Sequence, residues 1–189
     1  MQGFAVWLTG LSGAGKSTIA LALAGELQLR DQPVEVLDGD EFRKLLSKGL
    51  GYSRADRDTN IARIAFVASL LVRNGVAVLT GAISPYAQSR HDARERIGNF
   101  VEVYVRCSIT ELTRRDVKGL YHRALSGELK HFTGISDPYE EPASPDVVVD
   151  TEFETVDESV AKIFSHLHER GFALRSSDGV KGGRVAAEV

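Results

Sequence analysis

The stretch Gly10-Leu11-Ser12-Gly13-Ala14-Gly15-Lys16-Ser17 satisfies the phosphate-binding pattern G-x-x-x-x-G-K-[ST] at every fixed position. It follows the apolar run Phe4-Ala5-Val6-Trp7-Leu8-Thr9, which reads as a buried parallel strand. It runs on into Thr18-Ile19-Ala20-Leu21-Ala22-Leu23-Ala24, which continues as a helix. A chance match in a glycine-rich turn would lack this order of strand, loop and helix. The chain is therefore expected to bind a nucleoside triphosphate.

Each residue type in the loop has its own physical reason. The glycines let the backbone wrap an anion with its N–H groups pointing inward, where a Cβ would block the turn or the approach of phosphate. Lys16 brings a mobile positive charge to the β- and γ-phosphate oxygens, and the Ser17 hydroxyl suits Mg²⁺. The helix that follows adds unpaired N–H groups and the positive end of its dipole. The expected nucleotide contacts are Gly10, Leu11, Ser12, Gly13, Ala14, Gly15, Lys16, Ser17 and Thr18, with Ser17 as the metal ligand.

Bulk properties narrow the setting. At 189 residues the chain has the size of one domain able to bury a full core without disulfides or structural metal. A net charge of −3 gives no general pull toward nucleic acid or membranes, so any basic site must be local. Cys107 is the only cysteine, which excludes an internal disulfide and fits a reducing, cytoplasmic setting. It reads as a small apolar residue at a strand end. The apolar stretch from Ile61 to Val72 is broken by Arg63 and Ser69 and spaced as one helical face, so it reads as core and not as a membrane span. The first ten residues lead straight into the first strand, with no signal-peptide pattern. The five histidines form no ligand constellation and read as surface residues.

Strand-like and helical runs alternate along the chain. After the first helix come Val34-Glu35-Val36-Leu37, a helix from about Glu41, and a long helix ending near Asn74-Gly75. Val76 to Thr80 forms the next strand, residues 87–97 a helix, Phe100 to Val105 a strand, Val147 to Asp150 the last strand, and Val156 to Arg170 an amphipathic helix. This predicts an α/β/α three-layer fold around a five-stranded, mainly parallel sheet, with ligands at the carboxyl ends of the strands. The poorly periodic stretch 114–145 interleaves Lys118, Arg123, Lys130, His131 and Phe132 with glycines, and is expected to be a lid over phosphates. Residues 1–172 make up the domain, and 173–189, without apolar periodicity, read as a flexible tail with no catalytic role.

The other unusual segments fall where the strands end. Asp38-Gly39-Asp40 closes the second strand, with Arg43 one helical turn after Asp40. Two carboxylates beside a phosphate loop can orient the waters of Mg²⁺ and accept a proton from an attacking hydroxyl. Asp40 could equally cap the next helix, and the two roles are compatible. Next comes Leu50-Gly51-Tyr52-Ser53 and then Asp56 to Arg63, whose helical spacing aims Arg57 and Asn60 from one edge while Ile61 and Ile64 face the core. Ile83-Ser84-Pro85-Tyr86 follows the third strand.

Taken together, these segments resemble the adenylylsulfate (APS) kinases, P-loop kinases, over nearly the whole chain from about Gly3 to Gly171. The matching blocks are Gly10 to Thr18, Asp38-Gly39-Asp40 with Arg43, Leu50 to Ser53, Asp56 to Arg63, and Ile83 to Tyr86. Lys118-Gly119-Leu120-Tyr121, Phe132-Thr133-Gly134-Ile135 and Asp137-Pro138-Tyr139-Glu140 complete the set and are more specific than the phosphate loop. The resemblance implies transfer of the ATP γ-phosphate to the ribose 3′-hydroxyl of adenosine 5′-phosphosulfate. Tyr52 and Phe132 would stack on the acceptor adenine, while Arg43, Arg57, Asn60 and Lys118 would engage its phosphosulfate and ribose, with Asp38, Ile83 and Leu120 also against the acceptor. Asp40 would orient or accept the 3′-hydroxyl proton, Lys16 and Mg²⁺ would stabilise the transferred group, and Arg115 would close over ATP.

Ser84 aligns with the serine treated in the family as a phosphoserine intermediate. No general base adjoins it in the sequence, so direct in-line transfer, with Ser84 as a substrate contact, is the favoured reading. The chain departs from the family pattern at Tyr52, Thr59, Ala62 and Val117, where Phe, Glu, Arg and Pro are usual. A homodimer or larger homo-oligomer, and fusion or association with ATP sulfurylase, are further family expectations. The start of the chain just before the first strand favours a fused domain. Two alternatives stand beside this reading: another small-molecule kinase of the same type, acting on a nucleoside monophosphate, shikimate or gluconate, and a non-catalytic nucleotide-binding module. No Asn-Lys-x-Asp motif for reading guanine occurs.

Overall fold

The computed structural model describes residues 2–116 and 118–172. The expectations for Val117 and for the tail at 173–189 lie outside the described residues. Five strands, β1 (Phe4–Thr9), β2 (Val34–Asp38), β3 (Ala77–Gly81), β4 (Phe100–Arg106) and β5 (Val147–Asp150), lie in the order β2-β3-β1-β4-β5. All four pairings are parallel, with Val6 opposite Leu79 on one side and Val101 on the other. The helices are α1 (Lys16–Gln28), α2 (Gly39–Leu45), α3 (Arg54–Arg73), α4 (Ala87–Ile97), α5 (Ile109–Arg115), α6 (Leu120–Leu125) and α7 (Val156–Glu169).

The period of two along β1 divides the protein into layers. Phe4, Val6 and Leu8 enter one core with Ile19, Leu23 and Leu27 of α1 and Ile163 and Leu167 of α7. Ala5 and Trp7 face the other way, into a core with Ile61, Ile64 and Ala68 of α3 and Ala93 and Ile97 of α4. A strand buried on both faces has no polar alternation to show, which is why β1 reads as one continuous apolar run. β1 is central, and the chain turns from it first toward β2 and β3 and later toward β4. The reversal leaves a crevice beyond its carboxyl end, where the phosphate loop sits.

Two elements were not anticipated from the sequence. α5 and α6 have only seven and six residues, too few for a hydrophobic period to stand out. A capping signal was nonetheless present: the Ser108 hydroxyl accepts the Glu111 N–H at 3.1 Å, in a Ser-x-x-Glu arrangement. The strands, α4 and α7 fall within one residue of their expected bounds, while α1 runs four residues past the expected Thr18–Ala24 stretch.

One charged residue sits in the middle of the sheet. Glu102 of β4 is 9% exposed, and it accepts from Nε of Arg90 at 2.8 Å while Arg94 lies 3.6 Å from its other oxygen. Arg90 also donates to the carbonyls of Ser84 and Glu140, so this ion pair braces the loop after β3 against the segment at 138–141. Glu102→Ala would leave the Arg90 guanidinium buried without its counter-charge. The expected loss is about 3–5 kcal/mol of unfolding free energy, measured by urea denaturation with unchanged m-value.

Candidate active site

The carboxyl ends of β1, β2 and β3 open into a cleft of about 330 Å³, within the range of small-ligand sites. Its floor is the phosphate loop. Gly13 and Gly15 take φ of 77° and 99°, a left-handed conformation that side-chain-bearing residues rarely adopt. A Cβ on Gly10 would lie 2.3 Å from the Val105 carbonyl oxygen, so the loop can lie against β4 only with glycine there. α1 begins at Lys16 with no side chain capping its first N–H groups, which leaves them for an anion. The Thr151 hydroxyl donates to the Ala14 carbonyl at 2.9 Å and fixes the far wall of the loop.

Lys16 lies folded onto its own loop. Its Nζ donates to the carbonyls of Gly10 at 2.8 Å and Leu11 at 2.7 Å. Burial is the main influence on this ammonium and, against the raising field of Asp40, pulls its pKa down to about 8. Ser17 donates to Asp38 Oδ2 at 2.7 Å. The other oxygen of Asp38 accepts the N–H groups of Asp40 and Glu41 and so caps α2. Burial works against ionising Asp38, but the bonds from Ser17, Glu41 and Asp40 outweigh it and hold the carboxyl below its ordinary range.

This arrangement corrects the capping alternative for Asp40. Asp38 is the cap, and Asp40, inside the first turn, keeps its carboxylate in the cleft, where Lys118 Nζ meets it at 2.5 Å. Both side chains are more than half exposed, so the pair contributes little to stability and opens readily. The pairing raises the pKa of the Lys118 ammonium.

The opposite wall carries the aromatic and basic residues. Tyr52 is 58% exposed, with the Arg43 guanidinium 4.6 Å from its ring centroid. Arg43 also donates to the Gly51 carbonyl at 2.9 Å. Arg57 and Asn60 are each 6% exposed yet line the cleft, and Asn60 Oδ1 has no hydrogen-bond partner among the described residues. Ser12, Thr18, Ile83, Leu120 and Arg115 line the cleft as well. Arg115 is held by Glu111 and by the Thr151 carbonyl at 2.6 Å.

Two expected residues are placed differently from the rest. Phe132 is half-buried and meets Tyr121 edge-on, with centroids 5.1 Å apart, and it is not among the residues lining the cleft. Ser84 borders the cleft, but it is 1% exposed and takes φ of 41°, and its hydroxyl accepts from the Trp7 indole at 3.1 Å. Sequence reasoning gave no role to Tyr121, Asp116 or Thr151. Tyr121 donates to the Ser12 carbonyl at 2.8 Å, and Asp116 receives the N–H groups of Tyr121 and His122 at 3.0 Å, starting α6. The available signal was Asp116 shortly before Gly119-Leu120-Tyr121, an acidic residue placed to receive the first N–H groups of a helix.

Among the described residues, no group of three or more His, Cys, Asp or Glu is arranged to hold a metal ion, and no helix is long and apolar enough to cross a membrane. In the phosphate loop the Ser17 hydroxyl, with the Asp38 carboxylate beside it, offers oxygens able to take a hard cation.

Comparison with known proteins places this geometry in a family. The model for adenylylsulphate kinase matches residues 2–150. A probable bifunctional SAT/APS kinase of Sorangium cellulosum is 57% identical over 187 residues, and the chain spans 32% of that relative's length. An adenylyl-sulfate kinase of Gloeothece citriformis is 56% identical over 171 residues, covering 90% of this chain and 97% of that one. Among solved structures, the Mycobacterium tuberculosis APS kinase in complex with AMPPNP and APS superposes with a TM-score of 0.85 at 40% identity, covering 88% of this chain and 98% of that one. The chain belongs to the adenylylsulphate kinase family.

Proposed function

We propose that this chain transfers the γ-phosphate of ATP to the 3′-hydroxyl of adenosine 5′-phosphosulfate, giving 3′-phosphoadenosine 5′-phosphosulfate and ADP. The observation that carries the reading is a single cleft in which the phosphate loop faces Asp40 and Lys118, with Tyr52 and Arg43 beside them. A related kinase whose structure holds AMPPNP and APS supports the assignment of the two ligands.

In the reaction a bond forms between the acceptor 3′-oxygen and the γ-phosphorus while the bond from that phosphorus to the β-bridging oxygen breaks. The hydroxyl proton leaves toward Asp40. Lys16 turns from the Gly10 and Leu11 carbonyls to the phosphates and stabilises the charge spreading over the transferred group. The first N–H groups of α1 hold the β-phosphate. Tyr52 presents an aromatic face to the acceptor adenine, and Arg43 and Lys118 supply the cations for its phosphosulfate. Asn60 Oδ1 offers a buried acceptor to the ribose or base. Ser84, its hydroxyl held by Trp7, bounds the acceptor and is not a phosphorylated intermediate.

The Ser17 hydroxyl and the adjacent Asp38 carboxylate suit Mg²⁺ arriving with the nucleotide, which when bound neutralises phosphate charge. The segment at 114–145 acts as the lid, with Arg115 over the donor. The exposed Leu45, Leu46 and Phe66 support a homo-oligomer, and the bifunctional relative supports association with a sulfurylase. The lone Cys107, buried and unpaired, is compatible with a cytoplasmic enzyme.

ADP release from MgATP with adenosine 5′-phosphosulfate, compared with AMP, shikimate and gluconate as acceptors, tests the assignment. Turnover is expected with the phosphosulfate alone; turnover with another acceptor and none with the phosphosulfate would overturn it.

A further inference from the structure

Arg57 lines the cleft yet spends most of its donors inside the protein. Its Nε donates to the Tyr52 carbonyl at 2.8 Å, Nη1 to the Thr133 hydroxyl, and Nη2 both to the His131 carbonyl and to Asp137 Oδ2, the last at 2.8 Å. A guanidinium has five N–H donors, and these bonds use four of them. The side chains of Arg57 and Asp137 are 7% and 18% exposed, so the pair is largely removed from water. The remaining Asp137 oxygen faces His131 Nδ1 at 3.4 Å.

Arg57 therefore joins two parts of the protein about 80 residues apart in sequence. On one side is the backbone of Tyr52, the aromatic wall of the acceptor side, whose ring centroid lies 5.8 Å from the Arg57 guanidinium. On the other is the turn from His131 to Asp137. That turn is rigid in itself: the Phe132 carbonyl accepts from Ile135, Ser136 and Asp137, and Gly134 donates to the Asp137 carbonyl at 2.8 Å. Gly134 also lies against Leu11 of the phosphate loop, where a Cβ would come within 2.8 Å of the leucine side chain.

We propose that Asp137 is a positioning residue for the acceptor site, acting through Arg57: its carboxylate neutralises and orients the buried guanidinium, which in turn fixes the backbone of Tyr52. The proposal rests on the functional reading above. Without the Asp137 carboxylate, Arg57 keeps a full charge in a nearly water-free position, held only by two carbonyls and a hydroxyl. The guanidinium then shifts toward water, and the Tyr52 backbone loses its bond to Arg57. The contact between Gly134 and Leu11 survives, because backbone bonds of the turn maintain it. The effect is consequently one-sided: the acceptor wall loosens and the donor loop does not.

Steady-state kinetics of Asp137→Ala, with each substrate varied in turn, provide the test. The expected result is a rise in KM for adenosine 5′-phosphosulfate of about tenfold, with KM for ATP within about twofold. Because Asp137 acts through Arg57, the double variant Arg57→Ala/Asp137→Ala is no worse than Arg57→Ala alone. An unchanged KM for the acceptor, an equal rise for both substrates, or additive losses in the double variant would each overturn the proposal. Asp137→Asn, which keeps the side-chain volume and one accepting oxygen, shows the same split at smaller size and serves if the alanine variant does not fold. Failure of the functional reading looks different: the wild-type protein itself would turn over another acceptor, and the same split would then be read with that acceptor.

Discussion

Lys16→Ala lowers kcat by about 10²- to 10³-fold, the loss associated with removing one preorganised donor to a developing anion. It also weakens ATP binding by about 10- to 100-fold, the worth of a charge-assisted hydrogen bond in a buried site. The surroundings of Lys16 show why both quantities fall while the fold does not. Among the described residues Lys16 has no carboxylate in contact, only the carbonyls of Gly10 and Leu11, and its burial already disfavours the charged form. Removing it relieves a buried charge, so the thermal midpoint of the variant without nucleotide stays level or rises.

The depressed pKa of Lys16 adds a signature in pH. Burial pulls the ammonium's pKa down to about 8 from its ordinary value of 10.5, so the fold disfavours the proton. The stability penalty of burying the ammonium is full below about pH 8 and fades as pH rises from there toward the unfolded value. ATP phosphates reverse the preference and restore the charge. Binding near pH 8 therefore takes up about half a proton, and ATP affinity falls as pH rises through that region. Calorimetry in buffers of different ionisation enthalpy measures the uptake. It should vanish near pH 6, where Lys16 is protonated in both states, and should be absent at any pH in Lys16→Ala. Equal uptake in the variant would assign the proton to another group.

The parts of this architecture that were legible in the sequence are those written locally. β1 is a continuous apolar run, β4 is an apolar run interrupted by Glu102, α7 opens with a capping box at Thr155 and Glu158, and the phosphate loop is a contiguous motif. The acceptor side was legible as a set of residue types but not as a set of partners. Nothing near Arg57 in the chain indicates that Thr133 and Asp137 will take up its donors, and nothing near Ser84 indicates that Trp7 will hold its hydroxyl. Those pairings arise only when the parallel sheet brings the ends of β1 and β3 together and the segment after α6 folds back over them. Phe132, expected from the family resemblance to stack on the acceptor adenine, has a neighbour that its type does not announce: its ring meets the edge of Tyr121, which in turn rests on the Ser12 carbonyl of the phosphate loop.

Asp40→Asn lowers turnover by about 10²- to 10⁴-fold, the range for loss of a general base, while ATP affinity stays within about twofold. The capping geometry makes this substitution unusually clean. Asp38, not Asp40, takes the N–H groups at the start of α2, so the amide leaves the helix as it was. Only the exposed contact with Lys118 is altered, and an exposed pair contributes at most about 1 kcal/mol to stability. The loss should therefore appear in kcat without a shift in unfolding midpoint beyond that small term. Lys118 pairs with Asp40, so under the proposed role of Lys118 the acceptor's anion and the Asp40 carboxylate compete for the same ammonium. In Asp40→Asn that competition is gone, and KM for adenosine 5′-phosphosulfate stays level or falls even as kcat drops. Loss of a base that only received a proton would lower kcat alone, whereas loss of one that also held Lys118 away from the acceptor lowers kcat and KM together. If turnover of Asp40→Asn stays near that of the unmodified enzyme, Asp40 is not the base, and the proton leaves the 3′-hydroxyl directly to the transferring phosphoryl group or to water.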